Sequence, residues 1–263
     1  MKLKIENQQT QDKEVANWWN DNKTRKWHSF TYDTDNPLSA HLILRQKKVL
    51  DYLKSLKLEK NSKILELGCG AGQTALKICE LGYSYVGIDI SKHLCEESEK
   101  KCQEYVKTGK AKFLTQSIEK KYPFDDQQFD VCVIVGSIQY VGDLESCFRE
   151  IVRALKKDSY VIVCQANMYH IQEMIYPRHL LLKLIYATCN EEFFISPSLK
   201  SILCDSKLGH FFKKYENSKF MNYSFMTKGT EQLKYKIKKR LYSYSRLKKI
   251  LEHFNFKIIK KTG

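Results

Sequence analysis

The chain has 263 residues, nine cysteines and a formal net charge of +15. Its hydrophobic fraction of 43% is typical of a globular protein and excludes a disordered one. No apolar run reaches the ~18 residues of a membrane-spanning helix, and the polar first residues lack the apolar core of a secretion signal. The cysteines form no Cys-x-x-Cys pair, so we expect free thiols, no metal site and a cytoplasmic location.

The positive charge is concentrated in one segment, residues 228–261. This segment holds twelve Lys and Arg against two Glu, a net charge of +10. Such a segment favours an acidic partner such as nucleic acid or an anionic membrane, while a solvated lysine-rich surface explains it at least as well. Because no signature of an RNA-binding module accompanies the lysines, we expect no nucleic-acid partner. The sequence leaves the oligomeric state open.

Hydrophobic periodicity predicts the elements in chain order. An aromatic-rich opening at 13–32 suits a helix or a lid, and an amphipathic helix is predicted at 39–57. Short apolar strands then alternate with helices, and Ser91 is placed to cap the helix after the second strand. The polar residues 156–159 are predicted to form a turn. The predicted strands are Lys63–Leu67, Tyr85–Asp89, Ala111–Thr115, Phe129–Val135 and Tyr160–Cys164, and predicted helices between them are Thr74–Leu81 and Leu144–Leu155.

The alternation predicts an α/β fold with a doubly wound, mainly parallel sheet, in a single domain. Ligands of such sheets bind at the carboxyl ends of the strands, near the switch in strand order. The expected segments are an N-terminal helical lid (1–45), a cofactor-binding core (46–165), a substrate-side insertion (166–242) and the last helix and strand of the core (243–263, with the helix at Ser245–Phe254 and a sixth strand at Phe256–Ile259).

A glycine-rich turn joins the first strand to the helix that follows it. Its sequence is Glu66-Leu-Gly-Cys-Gly-Ala-Gly72. Glycines let the backbone approach a ligand closely, and the helix N-terminus beyond them offers free N–H groups. Asp89 ends the second strand, where a carboxylate can accept both hydroxyls of a ribose. Together these features predict an adenosine-containing cofactor.

Two details of the turn favour S-adenosylmethionine over a dinucleotide. The dinucleotide fingerprint places its last glycine one residue later, where this chain has Gln73. Glu66 would also repel a pyrophosphate, whereas S-adenosylmethionine presents an ammonium and a sulfonium. We therefore expect a ligand that carries positive charge.

From about residue 62 to 165 the chain resembles the class I, Rossmann-like S-adenosylmethionine-dependent methyltransferase family, in its small-molecule branch. The same family often has an acidic residue after the third strand that contacts the adenine amino group; here Gln116 and Ser117 stand there. The usual seventh strand is not found. The resemblance rests on the glycine turn, on Ile90-Ser91 and Leu94, on Pro123-Phe124 and Phe129-Asp130, and on Gly136-Ser-Ile-Gln139-Tyr140. It implies that S-adenosylmethionine is bound by Glu66, Gly68, Cys69, Gly70, Gly72, Asp89, Ile90, Ser117, Ile118, Gly136 and Gln139.

The resemblance implies methyl transfer to an O, N or C nucleophile of a small molecule, such as a metabolite, a lipid or a quinone-type precursor. An RNA methyltransferase that uses the basic segment and a non-catalytic binding protein remain alternatives. An anionic membrane is a candidate surface for peripheral contact. Methyl transfer depends on alignment and needs no fixed triad, so the sequence does not identify a catalytic group. Candidates are Tyr140, His170, Tyr32 and His28.

Overall fold

The computed structural model describes residues 8–21, 24, 40–165, 242 and 244–261. The chain divides into two compact units, Met1–Gln165 and Ala166–Gly263. Apart from Tyr242, the insertion predicted at 166–242 lies outside the described residues. The predicted division into lid, core and insertion therefore stays a prediction.

A parallel sheet forms the centre of the first unit. Its strands are β1 (Lys63–Leu67), β2 (Ser84–Asp89), β3 (Ala111–Thr115), β4 (Phe129–Val135) and β5 (Leu155–Cys164). They lie in the order β3-β2-β1-β4-β5, and every neighbouring pair is parallel. The α/β fold with a doubly wound parallel sheet, predicted from the sequence, is confirmed.

Helices connect the strands and precede the sheet. Their caps follow local chemistry: the Ser91 hydroxyl oxygen accepts the Leu94 N–H at 3.2 Å, as predicted, and the Asp143 carboxylate accepts the Ser146 N–H at 3.1 Å. The helices of the first unit are α1 (Gln8–Asn20), α2 (Ala40–Ser55), α3 (Gln73–Glu80), α4 (Lys92–Lys101), α5 (Gln103–Lys107) and α6 (Leu144–Ala154), with a 3-10 turn at Ile138–Tyr140.

The core lies on both faces of the sheet. The central strands β1 and β4 are covered on both sides, as the near-continuous apolar runs of buried parallel strands require. Helix α6 buries one stripe, which includes Phe148 and Ile151, while its opposite face carries charged residues. This packing holds the carboxyl ends of the strands in fixed positions.

Strand β5 is longer than predicted. It begins at Leu155, so the turn predicted at 156–159 lies within the strand and that prediction is wrong. Phe129 pairs with Leu155 but Val131 pairs with Tyr160, so the extra residues of β5 bulge, and Asp158 has a φ of 59°. Among the described strands β5 is outermost, and its residues 156–158 are exposed, so their polar composition did not prevent strand formation.

The described part of the second unit contains α7 (Tyr244–His253), close to the helix predicted at Ser245–Phe254. The sixth strand predicted at Phe256–Ile259 is wrong, because these residues are irregular. None of residues 256–259 is fully buried, and the side chain of Ile259 is 68% exposed. Within the described ranges, no helix is both long and apolar enough to cross a membrane.

Candidate functional site

The order of the strands locates a crevice. The chain runs from β1 outward to β2 and β3 on one side and to β4 and β5 on the other, so the order reverses between β1 and β4. Ligands of open α/β sheets bind outside the carboxyl ends of the strands at such a reversal. The glycine turn follows β1 and Gly136 follows β4. The Ser137 hydroxyl donates a hydrogen bond to the Leu67 carbonyl and ties the two turns together.

The glycines of the turn are required by its geometry. Gly68, Gly70 and Gly72 have φ values of 79°, 56° and 74°, in the left-handed region that side chains rarely adopt. A Cβ on Gly68 would lie 2.3 Å from the Ser137 Cβ, and one on Gly72 would lie 3.0 Å from the Ser98 Cα. The backbone therefore comes close to neighbouring protein atoms at both positions.

Ser98 and Gly87, which sequence reasoning missed, pack against the glycine turn. The Ser98 hydroxyl donates to the Gly70 carbonyl at 2.7 Å. A Cβ on Gly87 of β2 would lie 2.8 Å from the Cys69 Sγ, so only glycine leaves room for that thiol. A hydrogen bond with Cys95 and burial raise the pKa of Cys69, which keeps the thiol protonated. Cys69 is therefore a small neutral residue of the turn rather than a nucleophile.

Asp89 closes the crevice at the end of β2. One carboxylate oxygen accepts the Gly70 N–H at 2.9 Å and the other accepts the Ser91 N–H at 2.9 Å. Burial raises the pKa of Asp89, and backbone hydrogen bonds from Ser91, Gly70 and Ile90 oppose the rise. A carboxylate has about four lone-pair sites, so the oriented group can still accept a ribose hydroxyl.

Glu66 is more deeply buried than its predicted role suggested. Its side chain is 2% exposed, and the Tyr85 hydroxyl donates to it at 2.7 Å. Burial raises the pKa of Glu66 to about 8, against the opposing effects of the Tyr85 hydrogen bond and of Arg45. Without a ligand the carboxyl group is therefore mostly neutral at pH 7. A cation beside it would lower the pKa and restore the charge.

Arg45 of α2 is a site residue that sequence reasoning missed, since no local pattern marks it. Its guanidinium lies over Gly136, with one terminal nitrogen 2.9 Å from where a Cβ would stand. Its Nε is buried without a hydrogen-bond partner. Gln139 donates to the Gly136 carbonyl at 3.1 Å and accepts from Gln165 at 3.2 Å, which shapes the same turn. A ligand carboxylate would satisfy the buried guanidinium nitrogen.

The other end of the crevice fits a purine. Ile90 and Ile118 are half-buried just after β2 and β3, whose last residues Asp89 and Thr115 pair in register. Ser117 is buried beside them. The residues present therefore fit S-adenosylmethionine: apolar side chains for adenine, Asp89 for the ribose and Arg45 for the carboxylate.

Helix α1 lies across the carboxyl ends of the strands. Trp18 and Trp19 have ring centroids 5.7 Å and 6.1 Å from that of Tyr140, and we call these three residues the aromatic wall. Burial raises the pKa of Tyr140, so the phenol stays neutral at physiological pH and can donate a hydrogen bond but is a poor base. The other catalytic candidates, His28, Tyr32 and His170, lie outside the described residues.

The comparisons with known proteins agree with this geometry. Residues 65–163 match the family model described as a methyltransferase domain. The match covers less than half of the chain. The prediction of a class I S-adenosylmethionine-dependent methyltransferase is thereby confirmed in its family, reaction class and cofactor.

Several relatives and solved structures are similar to the methyltransferase chain. The ubiquinone biosynthesis O-methyltransferase of Pelagibacter ubique (strain HTCC1062) is 28% identical over 69% of this chain and 74% of that protein. A sterol 4-C-methyltransferase of Caenorhabditis elegans is 30% identical over 42% of this chain and 33% of that protein. A geranyl diphosphate C-methyltransferase from Streptomyces coelicolor A3(2) has a TM-score of 0.46 and 18% identity, and the match covers 58% of this chain and 64% of that chain. The alignments thus span from a third to three quarters of these proteins.

Proposed function

We propose that the methyltransferase acts on an O, N or C nucleophile of a small apolar acceptor, such as a metabolite, a lipid or a quinone-type precursor. The aromatic wall carries this proposal. Tyr140 lies in the turn after β4, the rings of Trp18 and Trp19 from α1 pack against it, and Trp19 remains half-exposed. Aromatic side chains offer a large apolar surface with a fixed orientation, which suits a ring or a chain of a small molecule.

The relatives support an apolar acceptor. The names of two of them specify ubiquinone biosynthesis and a sterol. One is an O-methyltransferase and the other a 4-C-methyltransferase, so they leave the acceptor atom open.

The chain contributes alignment to the reaction. When bound, S-adenosylmethionine supplies an electrophilic methyl group whose bond to sulfur breaks as the acceptor bonds to carbon, with the electron pair left on sulfur in S-adenosylhomocysteine. Asp89 would hold the ribose and Arg45 the carboxylate at one end of the cofactor, and the glycine turn would position the part between these two groups. The aromatic wall holds the acceptor and excludes water, and alignment of this kind lowers the barrier substantially.

The test is a transfer assay with S-adenosylmethionine labelled in its methyl group. A polyprenyl catechol, a sterol and purified RNA are each incubated with the protein, and label is counted in the organic extract and in acid-precipitated RNA. We expect label in the organic extract. Trp19→Ala should raise the KM for the acceptor by about tenfold, the scale of one lost aromatic contact, without changing S-adenosylhomocysteine binding.

Val152→Ala is the matched control, since Val152 is apolar, 45% exposed and on α6. It should leave the KM unchanged. Label in the RNA fraction would contradict the proposal and favour an RNA methyltransferase. Binding of S-adenosylhomocysteine with no label in any fraction would favour a non-catalytic binding protein.

A further inference from the structure

Helix α1 carries two of the three rings of the aromatic wall, and contacts with the rest of the unit hold it in place. The helix has 13 residues, a length that is marginal for an isolated helix in water. One face is buried and includes Gln11, Val15 and Trp18, which are at most 9% exposed. Packing of this face therefore fixes the helix as far as Trp18.

Trp19 lies beyond that buried stretch, in the last turn of α1. The last carbonyl groups of a helix lack partners within the helix, and helix ends fray. A backbone hydrogen bond from the Asp21 N–H to the Trp18 carbonyl, at 3.2 Å, closes the turn. The orientation of Trp19 is therefore sensitive to how this end of the helix is held.

The side chain of Asn20 attaches the end of α1 to the start of α4. Its oxygen accepts the Ser91 hydroxyl at 2.8 Å and the His93 N–H at 3.5 Å. The Ser91 oxygen in turn accepts the Leu94 N–H at 3.2 Å, which leaves the hydroxyl proton to be donated to Asn20. Because a backbone N–H can only donate, the contact with His93 also requires the Asn20 oxygen. An oxygen at this position, rather than the amide nitrogen, is therefore the group that makes the attachment.

Ser91 joins this attachment to the cofactor site. It is fully buried, and its N–H donates to the Asp89 carboxylate at 2.9 Å. The other Asp89 oxygen accepts the Gly70 N–H, also at 2.9 Å. A series of hydrogen bonds therefore runs from the glycine turn through Asp89 and Ser91 to Asn20, the residue next to Trp19.

We propose that Asn20 is a positioning residue of the acceptor site, whose side-chain oxygen fixes Trp19 of the aromatic wall relative to the cofactor site. The proposal rests on the acceptor site proposed above and adds the residue that places it. Asn20 acts through Trp19 and takes no part in the chemical step. Its replacement leaves the two backbone hydrogen bonds of Asp89 in place, so the effect falls on the acceptor and not on the cofactor.

The first measurement is the steady-state rate of methyl transfer to a polyprenyl catechol, or to the sterol if that is the compound labelled in the assay above. Asn20→Ala removes the oxygen and should raise the KM for the acceptor by about fivefold, the scale of one hydrogen bond between neutral groups. The kcat and the Kd of S-adenosylhomocysteine should stay close to those of the unmodified protein. Because Asn20 is exposed, the variant should still fold.

Two further variants complete this measurement. Asn20→Asp keeps an oxygen at the same place and should restore the KM to within about twofold, since a negative charge at a helix C-terminus costs only a few tenths of a kcal/mol. Lys13→Ala is the matched control, because it removes an exposed side chain from α1, and it should leave the KM unchanged.

The second measurement needs no acceptor. Trp18 and Trp19 are two of the three tryptophans of the chain, so acrylamide quenching of tryptophan fluorescence reports on their accessibility. In the presence of S-adenosylhomocysteine, Asn20→Ala should raise the quenching constant because Trp19 becomes more accessible. Asn20→Asp and Lys13→Ala should leave it unchanged.

The two measurements separate this proposal from the proposed function. A lack of transfer to both the catechol and the sterol would contradict the proposed acceptor class, and the quenching would still decide whether Asn20 positions Trp19. Unchanged quenching or an unchanged KM in Asn20→Ala would overturn the proposal. Equal impairment of Asn20→Ala and Asn20→Asp would also overturn it, since the oxygen would then not be the group that matters. A rise in the Kd of S-adenosylhomocysteine as large as the rise in KM would show a general loosening of the site and overturn it as well.

Discussion

Replacement of Glu66 by glutamine should make the protein more stable at neutral pH. The folded protein holds the Glu66 proton more tightly than the unfolded chain does, because burial raises the pKa from 4.5 to about 8. The stabilising contribution of this tight binding is complete below pH 4.5 and is lost as the pH rises towards 8. Above that range the folded protein bears the cost of an ionised, buried carboxylate.

The magnitude follows from the pKa. At pH 7 the unfolded chain has released the Glu66 proton, whereas the folded protein has mostly kept it. The two states differ in this way between pH 4.5 and pH 7, an interval of roughly 2.5 pH units. At about 1.4 kcal/mol for each unit, the unmodified protein loses about 3 kcal/mol of unfolding free energy between pH 4.5 and pH 7 through this group. The glutamine side chain of the Glu66→Gln variant does not titrate, and its oxygen can still accept the Tyr85 hydroxyl.

The assay is urea denaturation of both proteins at several pH values from 5 to 8. The unfolding free energy of the Glu66→Gln variant minus that of the unmodified protein should rise with pH by about 3 kcal/mol. Glu99→Gln, which removes an exposed carboxylate from α4, should show a flat difference. A flat difference for Glu66→Gln as well would refute the reasoning, since it would mean that Glu66 is ionised throughout, with Arg45 as its counter-charge.

Two further substitutions test the site. Gly68→Ala should abolish the thermal stabilisation by S-adenosylhomocysteine, about 2.7 kcal/mol at 100 times its Kd, because the new Cβ would collide with Ser137. Gly82→Ala is the control, because Gly82 has a φ of 89° but open space around it. This variant should lose about 1–2 kcal/mol of stability to backbone strain and still bind S-adenosylhomocysteine. Equal binding by the two variants would contradict the geometry of the turn. Tyr140→Phe should leave the pH dependence of kcat unchanged because the phenol is already neutral, and loss of one limb of that profile would identify Tyr140 as a base.

Local pattern was sufficient to predict three of the strands. The strands Lys63–Leu67, Ala111–Thr115 and Phe129–Val135 agree with the prediction to the residue, because each is a largely apolar run between polar turns. Strand β5 was predicted only in part, since residues 156–159 are polar and the outermost of the described strands tolerates that. The strand expected at Phe256–Ile259 had suitable residue types, but these residues are irregular, so composition alone did not predict the structure there.

The site shows the same division between local and distant causes. The glycines of the turn were predictable, because a tight turn needs residues with a positive φ, and glycine adopts that conformation most easily. Ser98 and Gly87 were not, since they approach the turn only when the sheet and α4 fold around it. Arg45 comes from a helix that precedes the turn, and nothing in its own neighbourhood in the sequence indicates a ligand.

The placement of α1 has a thermodynamic consequence. A single helix of 13 residues carries Asn20, which accepts a hydrogen bond from Ser91 close to Asp89, and Trp19 of the aromatic wall proposed for the acceptor. A ligand that shifts the helix from one site changes the free energy of binding at the other. Because such coupling is reciprocal, the cofactor must alter the affinity for the acceptor by the same factor as the acceptor alters the affinity for the cofactor. The two substrates are therefore expected to bind cooperatively through α1.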